Sequence, residues 1–407
     1  VRKPVATGPF WWGISTSSYQ NEDRAEVPSS PTYFLTDWDI YARQGRAPAR
    51  GDFATRSWTH FERDLHALRA LDVNHYRFSI EWARVEPKPG VFNQTAIDHY
   101  VKMARELKAS GIEPVVTLWH FTFPDWLYHD GNARKANYLD PRILPAWRNY
   151  VTRMVAALRP YVRVFVPENE PNGQLQLAYL AGHFPPGKLL AIGSYKRAMR
   201  VSVAMFRDAA DIVHHSRRDA IVMGIYALPH WRRNWFEDPT GAVFNTTWRL
   251  NCDHLDQVHD VCDLIGVNYY FVQDADIVRF LTHRGEIGWR YTQLGWEIDA
   301  EGLYDVLCRT YRRYGIPLVV TENGLATVSE QKKIRYLREH INQMRRAMAD
   351  GVDVRGYFPW TLVDNYEWRE GWRANFGLTY LQPGDEELTI GTSGKWFAEF
   401  VRSHPQP

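Results

Sequence analysis

An eight-stranded (β/α)8 barrel is the fold the sequence predicts, and three observations predict it. A short apolar run followed by a longer amphipathic stretch recurs eight times along 407 residues, the strand-then-helix alternation of a parallel barrel. Several of the runs end abruptly in polar or charged residues, where a barrel places its working groups. No internal repeat, low-complexity tract or flexible linker interrupts the chain, so 1–407 reads as a single barrel domain. A doubly wound open sheet is the runner-up. It would carry a glycine-rich phosphate turn after the first strand, and Gly13-Ile14-Ser15-Thr16-Ser17 is no such turn.

The predicted strands are 10–16, 73–80, 113–119, 162–166, 220–226, 263–270, 317–321 and 354–362. The clearest is 317–321, a β-branched run behind Gly315 and Pro317 that reads as buried on both faces. Helices are predicted between them. In 57–70, Trp58, Phe61, Leu65 and Leu68 recur at helical spacing. In 94–110, Ile97, Tyr100, Val101, Ala104 and Leu107 do the same, and Gly111 supplies the stop. Segments 145–158, 194–214, 300–314, 329–349 and the closing 394–403 continue the series. The stretch 227–260 is longer than a connector needs and carries Trp231, Trp235, Phe236 and Trp248, so it reads as an elaborated loop with a helix.

Composition narrows the function classes. A formal net charge of +2 gives no field that would argue for nucleic acid or an anionic membrane. No run of 18 apolar residues is present, so no membrane-spanning helix is predicted. The 17 Trp, 22 Tyr and 19 Phe fit either a large core or a cleft whose flat faces pack against sugar rings. Cys252, Cys262 and Cys308 make no disulfide framework; buried thiols are expected, with a Cys252–Cys262 bridge as the alternative in an exported protein. Asn93 and Asn245 each head a glycosylation tripeptide, a pattern common by chance. The first residue is Val1, which points to a removed leader or a trimmed start and leaves a cytoplasmic and an exported destination both open. No metal site or cofactor is expected. The 15 histidines include no His-Glu-x-x-His, and His66, His254 and His259 read as surface or boundary residues.

The chemistry sits at two strand ends. The fourth run finishes in Glu168-Asn169-Glu170-Pro171 and the seventh in Thr321-Glu322-Asn323-Gly324. A glutamate closing a buried strand is costly unless something pairs with it or uses it. Two such glutamates are what two-carboxylate glycoside hydrolysis requires. Other strand ends supply Gln20, Arg77, Trp119-His120, Asn268, Tyr270 and Trp360, with Glu367-Trp368 following. Any one of these could be an ordinary turn or cap residue; the set together points to a sugar-binding rim.

These residues resemble glycoside hydrolase family 1, the β-glucosidase/β-galactosidase family. The resemblance rests on Phe10-Trp11-Trp12-Gly13 with Ser18-Tyr19-Gln20, on 77–84 (RFSIEWAR), and on Thr117-Leu118-Trp119-His120. It continues through Asn169-Glu170-Pro171, Asn268-Tyr269-Tyr270, Thr321-Glu322-Asn323-Gly324, 356–360 (GYFPW) and 364–368 (DNYEW), in family order. It implies a retaining β-glycosidase in which Glu322 is the nucleophile and Glu170 the acid/base, about 5–5.5 Å apart. It further implies that Arg77 and Tyr270 hold the nucleophile ionised and aimed, that Asn268 belongs to the catalytic set, and that Asn169 meets the sugar 2-hydroxyl. Gln20, His120, Glu367, Trp368 and Phe376 then join the sugar contacts, with Trp360 as the floor under the ring. Relatives acting on 6-phosphorylated sugars lack the glutamate at 367, so a neutral sugar is expected.

The chain departs from the family pattern at Pro167-Glu168, at Phe121 in place of a common Trp, at Asn375, where an arginine is usual, and at Asn21-Glu22-Asp23. Pro167 predicts an early end to the fourth strand, and Glu168 reads as an outward ion pair or a modifier of Glu170. The aglycone is expected to meet the loop around Trp231 and Trp235. A transglycosidase and a catalytically silent carbohydrate-binding protein are the alternatives on the same residues.

Overall fold

The computed structural model describes residues 8–24, 26–51, 54–128, 135–233, 238, 240–274, 290–382 and 386–407. Eight parallel strands close into a barrel: β1 Trp11–Ser15, β2 His75–Ser79, β3 Glu113–Thr117, β4 Val164–Val166, β5 Ile221–Ala227, β6 Leu264–Asn268, β7 Leu318–Asn323 and β8 Val354–Pro359. Each pairs with its sequence neighbour, and β1 closes the ring on β8 through Trp11 opposite Gly356. Every predicted strand is present. β4 is the shortest, stopping at Val166 because Pro167 has no N–H to extend the ladder.

Helices follow the strands: α1 Phe61–Ala70, α2 Gln94–Ala109, α3 Ile143–Leu158, α4 Ile192–Ser216, α5 Ala242–Val258, α6 Ala300–Tyr314, α7 Glu330–Ala349 and α8 Thr392–Ser403. Their starts have chemical causes. Asn93, Asp299 and Ser329 cap α2, α6 and α7 by accepting backbone N–H bonds. Asn93 is therefore a buried cap, not an exposed glycan acceptor. α1 begins at Phe61 rather than at 57, because Arg56 adopts a φ of 61° and the Thr59 amide turns aside to donate to Asp23. Gly315 ends α6 in the left-handed conformation that relieves a C-terminus.

Side chains alternate along the strands between two cores. Trp11, Val115, Val164, Val166, Met223, Leu264, Val319 and Phe358 fill the barrel interior. Val116, Phe165, Val222, Val267, Val320 and Tyr357 face the helices. A Cβ on Gly13 would lie 2.2 Å from the Phe358 ring, so glycine is what lets that ring close the barrel axis. Truncating a ring buried like this costs about 3–5 kcal/mol.

The 227–260 region holds a strand, His230–Arg232, paired with Val272–Asp274, and then α5. Trp235 and Phe236 lie outside the described residues. Cys252 and Cys262 are buried thiols and Cys308 is a half-buried one. Among the described residues no helix is long and apolar enough to cross a membrane.

Candidate active site

The carboxyl ends of the strands converge as a parallel barrel requires. Glu322 closes β7 and is 4% exposed. Arg77, in β2, donates from Nη1 to Glu322 Oε1 at 2.5 Å, and the Tyr270 hydroxyl donates to Oε2 at 2.5 Å. A fixed cation and a phenol thus hold both oxygens. Arg77 is itself fully buried and donates from Nε to Thr117 Oγ1 at 3.0 Å and from Nη2 to Asn169 Oδ1 at 2.6 Å. After Asn323 the chain must pass under β8, where a Cβ on Gly324 would meet the Trp360 carbonyl at 2.0 Å.

Glu170 is half-buried and stands just before the short helix Pro171–Tyr179. Its backbone is left-handed, at φ 43° and ψ 51°, a conformation that costs a non-glycine residue about 1–2 kcal/mol. The Asn169 amide donates to the Trp119 carbonyl and the Glu170 amide to the Ile225 carbonyl, so neighbouring strands pin the turn. Asn268 Nδ2 donates to Glu170 Oε1 at 2.6 Å and to Asn169 Oδ1 at 3.3 Å. Thr321 Oγ1 donates to Asn268 Oδ1 at 2.7 Å, which fixes which way that amide faces. One hydrogen-bonded path therefore runs Glu170–Asn268–Asn169–Arg77–Glu322. Burial first, and then the charge of Glu322, raise the Glu170 carboxyl well above the ordinary carboxylic range.

The predicted sugar contacts gather on the same rim. Gln20 is fully buried, its carbonyl held by Ser17 Oγ at 2.7 Å and its Nε2 donating to Glu367 Oε2 at 3.3 Å. Burial and the charges of Glu322 and Glu170 push Glu367 up to about 8, against hydrogen bonds from Gln20 and Trp360. Glu367 thus faces the site, and its neighbour Arg373 pairs instead with Glu370. His120 Nε2 lies 3.3 Å from Asn169 Nδ2, and burial followed by Arg77 keeps its imidazole neutral. The His120 ring runs nearly parallel to Trp360 and Trp368. Trp368 is wedged among Tyr19, Trp38, Phe121 and Phe184, while Phe376 and Trp360 pack with Tyr270 and Trp296.

Two readings made from sequence are corrected. Glu168 is no outward ion pair: it is fully buried, accepts from Tyr138 OH at 3.1 Å, lies 3.0 Å from Ser202 Oγ, and rises to about 8 through burial. His254 is not a surface residue but fully buried, and it lies 3.1 Å from Ser202 Oγ. Sequence reasoning also missed Thr321 as the group that orients Asn268. Its position, directly before Glu322 in a buried strand, was the available signal.

The sequence profile of glycosyl hydrolase family 1 matches residues 5–233 and 217–406. The chain belongs to glycosyl hydrolase family 1. As a family 1 glycoside hydrolase it is 31% identical to a bifunctional β-D-glucosidase/β-D-fucosidase of Bifidobacterium breve, over 97% of this chain and 98% of the relative. It is 27% identical to β-glucosidase A of Thermotoga maritima, over 97% of each. A β-glycosidase from Pyrococcus horikoshii superposes with a TM-score of 0.85 at 27% identity, covering 100% of this chain and 99% of that one.

Buried titratable groups give this family 1 enzyme a defined pH dependence of stability. Glu22 and Glu81 rise to about 7, and Glu168 and Glu367 to about 8, so the folded state keeps protons that the unfolded chain releases near 4.5. Their contribution, fully present below about 4.5, is lost progressively as pH climbs from there through 7–8. His230, raised to about 9 against Asp299 and Asp305, loses its contribution between 6.5 and 9. His75 and His254, lowered to about 3, and His99 and His340, to about 4, act oppositely but only below 6.5. Between pH 6.5 and 8.5 the raised carboxyls and His230 act in the same direction, so thermal melts are expected to show a lower Tm at 8.5. A higher Tm there would contradict these protonation states.

Proposed function

We propose that the chain is a retaining β-glycosidase that hydrolyses terminal, non-phosphorylated β-glycosides through a covalent glycosyl-enzyme, with residues 1–407 acting as one catalytic unit. The observation that carries this reading is the opposite treatment of two carboxyls on one rim. Glu322 is clamped by a cation and a phenol, which suits an ionised nucleophile. Glu170 is held protonated by burial and by the charge of Glu322, which suits a general acid.

The steps follow from those states. Glu322 attacks the anomeric carbon while Glu170 gives its proton to the departing oxygen. The covalent bond removes the charge that raised Glu170, so Glu170 now ionises readily and takes a proton from the incoming water. Asn169, held by Arg77 and Asn268, offers its amide to the sugar 2-hydroxyl. Gln20, His120 and Glu367 bind the other hydroxyls over Trp360, with Trp368 and Phe376 closing the walls.

The Bifidobacterium relative's name directs attention to glucosides and fucosides. A phosphate on the far side of the sugar would meet the Glu367 carboxyl beside Gln20, which even when neutral supplies no positive charge. Chromogenic β-glucoside, β-fucoside, β-galactoside and 6-phospho-β-glucoside, assayed side by side, test the reading. The phosphorylated substrate is expected to have a kcat/KM at least roughly 10²-fold below the best neutral one. Preference for the phosphorylated sugar, or no turnover of any β-glycoside, would overturn it.

A further inference from the structure

Behind the acid/base turn lies a buried polar chain that the reaction as written does not use. Glu168 sits two residues before Glu170, its carboxyl oxygens 3.0 and 3.2 Å from Ser202 Oγ of α4, with Tyr138 OH donating to it from the other side at 3.1 Å. Ser202 Oγ is 3.1 Å from His254 Nε2 of α5, and His254 Nδ1 is 2.9 Å from Tyr226 OH of β5. Glu168, Ser202, His254 and Tyr226 are all 0% exposed. Among the described residues, the groups that act on the Glu168 carboxyl are the hydroxyls of Ser202 and Tyr138.

That environment selects an uncharged chain. Burial pushes the Glu168 carboxyl up to about 8 and the His254 imidazole down to about 3. A protonated Glu168 can donate to Ser202, Ser202 to His254 Nε2, and the Nδ1–H to the Tyr226 oxygen, so the links from Glu168 to Tyr226 run in one direction without a net charge. The chain starts at the end of β4 and finishes on Tyr226, next to Ile225, whose carbonyl receives the Glu170 amide. It therefore brackets the left-handed turn from both sides.

We propose that Glu168, in its neutral form, is a positioning residue that holds the Glu170 backbone turn and so aims the acid/base carboxyl at the glycosidic oxygen. This rests on the reading of Glu170 as the general acid. A lax turn misaims proton donation, which matters for poor leaving groups and hardly at all for activated ones that depart without a proton.

The test compares Glu168→Leu, Glu168→Gln and Ser202→Ala on an unactivated alkyl or phenyl β-glucoside and on the dinitrophenyl β-glucoside, with Glu170→Ala as reference. Glu168→Leu is expected to lose roughly 30-fold or more in kcat/KM on the poor leaving group and less than about 3-fold on the activated one. Glu168→Gln, whose amide donates to Ser202 and accepts from Tyr138, should restore both to within about 3-fold of wild type. If Glu168→Leu does not fold, Ser202→Ala is expected to show the same split. Equal losses on both substrates, or a glutamine variant as impaired as the leucine one, would overturn the proposal. Should Glu170→Ala show the split while Glu168→Leu and Ser202→Ala do not, positioning fails and the acid assignment stands. Should Glu170→Ala itself show no split, the acid assignment fails first.

Discussion

Replacing Glu322 with alanine is expected to lower kcat on every β-glycoside by roughly 10⁶-fold, the scale of losing a nucleophile outright. Neither of the other two carboxyls described on this rim is free to take its place. Glu170 has its own partner in Asn268, and Glu367 is turned to Gln20. The fold should survive, because Arg77 keeps its bonds to Thr117 and Asn169 when the carboxylate is gone. The loss should be alike for good and poor leaving groups, since both need the same attack on carbon. Azide admitted to the vacated space would strike from the face Glu322 had occupied, so any rescued product should be the α-configured glycosyl azide. Retention of more than about a thousandth of the wild-type rate on an activated substrate, measured on protein free of wild-type contamination, would point to a different nucleophile.

Replacing Glu170 with alanine should give a different signature. General acid–base assistance is worth roughly 10²- to 10⁴-fold, and that range is the loss expected on poor leaving groups. Activated glycosides should still form the glycosyl-enzyme, then hydrolyse it slowly for want of a base, so kcat and KM both fall. Here azide enters on the opposite face from Glu322 and attacks the covalent intermediate, giving the β-configured azide. The two variants thus produce opposite anomers from one reagent. The wild-type kcat/KM profile should also carry an alkaline limb well above the ordinary carboxylic range, since the raised Glu170 must be protonated to act. That limb should vanish in the variant on activated substrates. An equal loss on all leaving groups with no rescue would remove Glu170 from the acid/base role.

Much of this was legible in the residues. Parallel strands buried on both faces are written as unbroken apolar runs, and Val319-Val320 or Val115-Val116 carry no competing helical period. The polar residues of the rim were legible for a related reason: a charged or amide group closing such a run has few places to go except the rim. The helix Pro171–Tyr179 was not legible, because it buries Asn172 and Gln174 along with Leu175 and Tyr179 and so shows no apolar stripe. Glu168 misled for a deeper reason. Sequence displays a charge but not what faces it, and its partners Tyr138 and Ser202 lie far away along the chain. His254 was misplaced in the same way. A histidine on an amphipathic segment reads as boundary until the opposing serine and tyrosine are in view.

Underneath these results is the claim that Glu322 forms the bond to sugar. A 2-deoxy-2-fluoro β-glycoside with an activated leaving group tests it most directly, because the fluorine slows both steps while the leaving group lets only the first proceed. Peptide mapping of the inactivated enzyme should place one sugar on Glu322, within Leu318–Asn323. A label on Glu170 or any other side chain, or continued turnover with no label, would contradict the account.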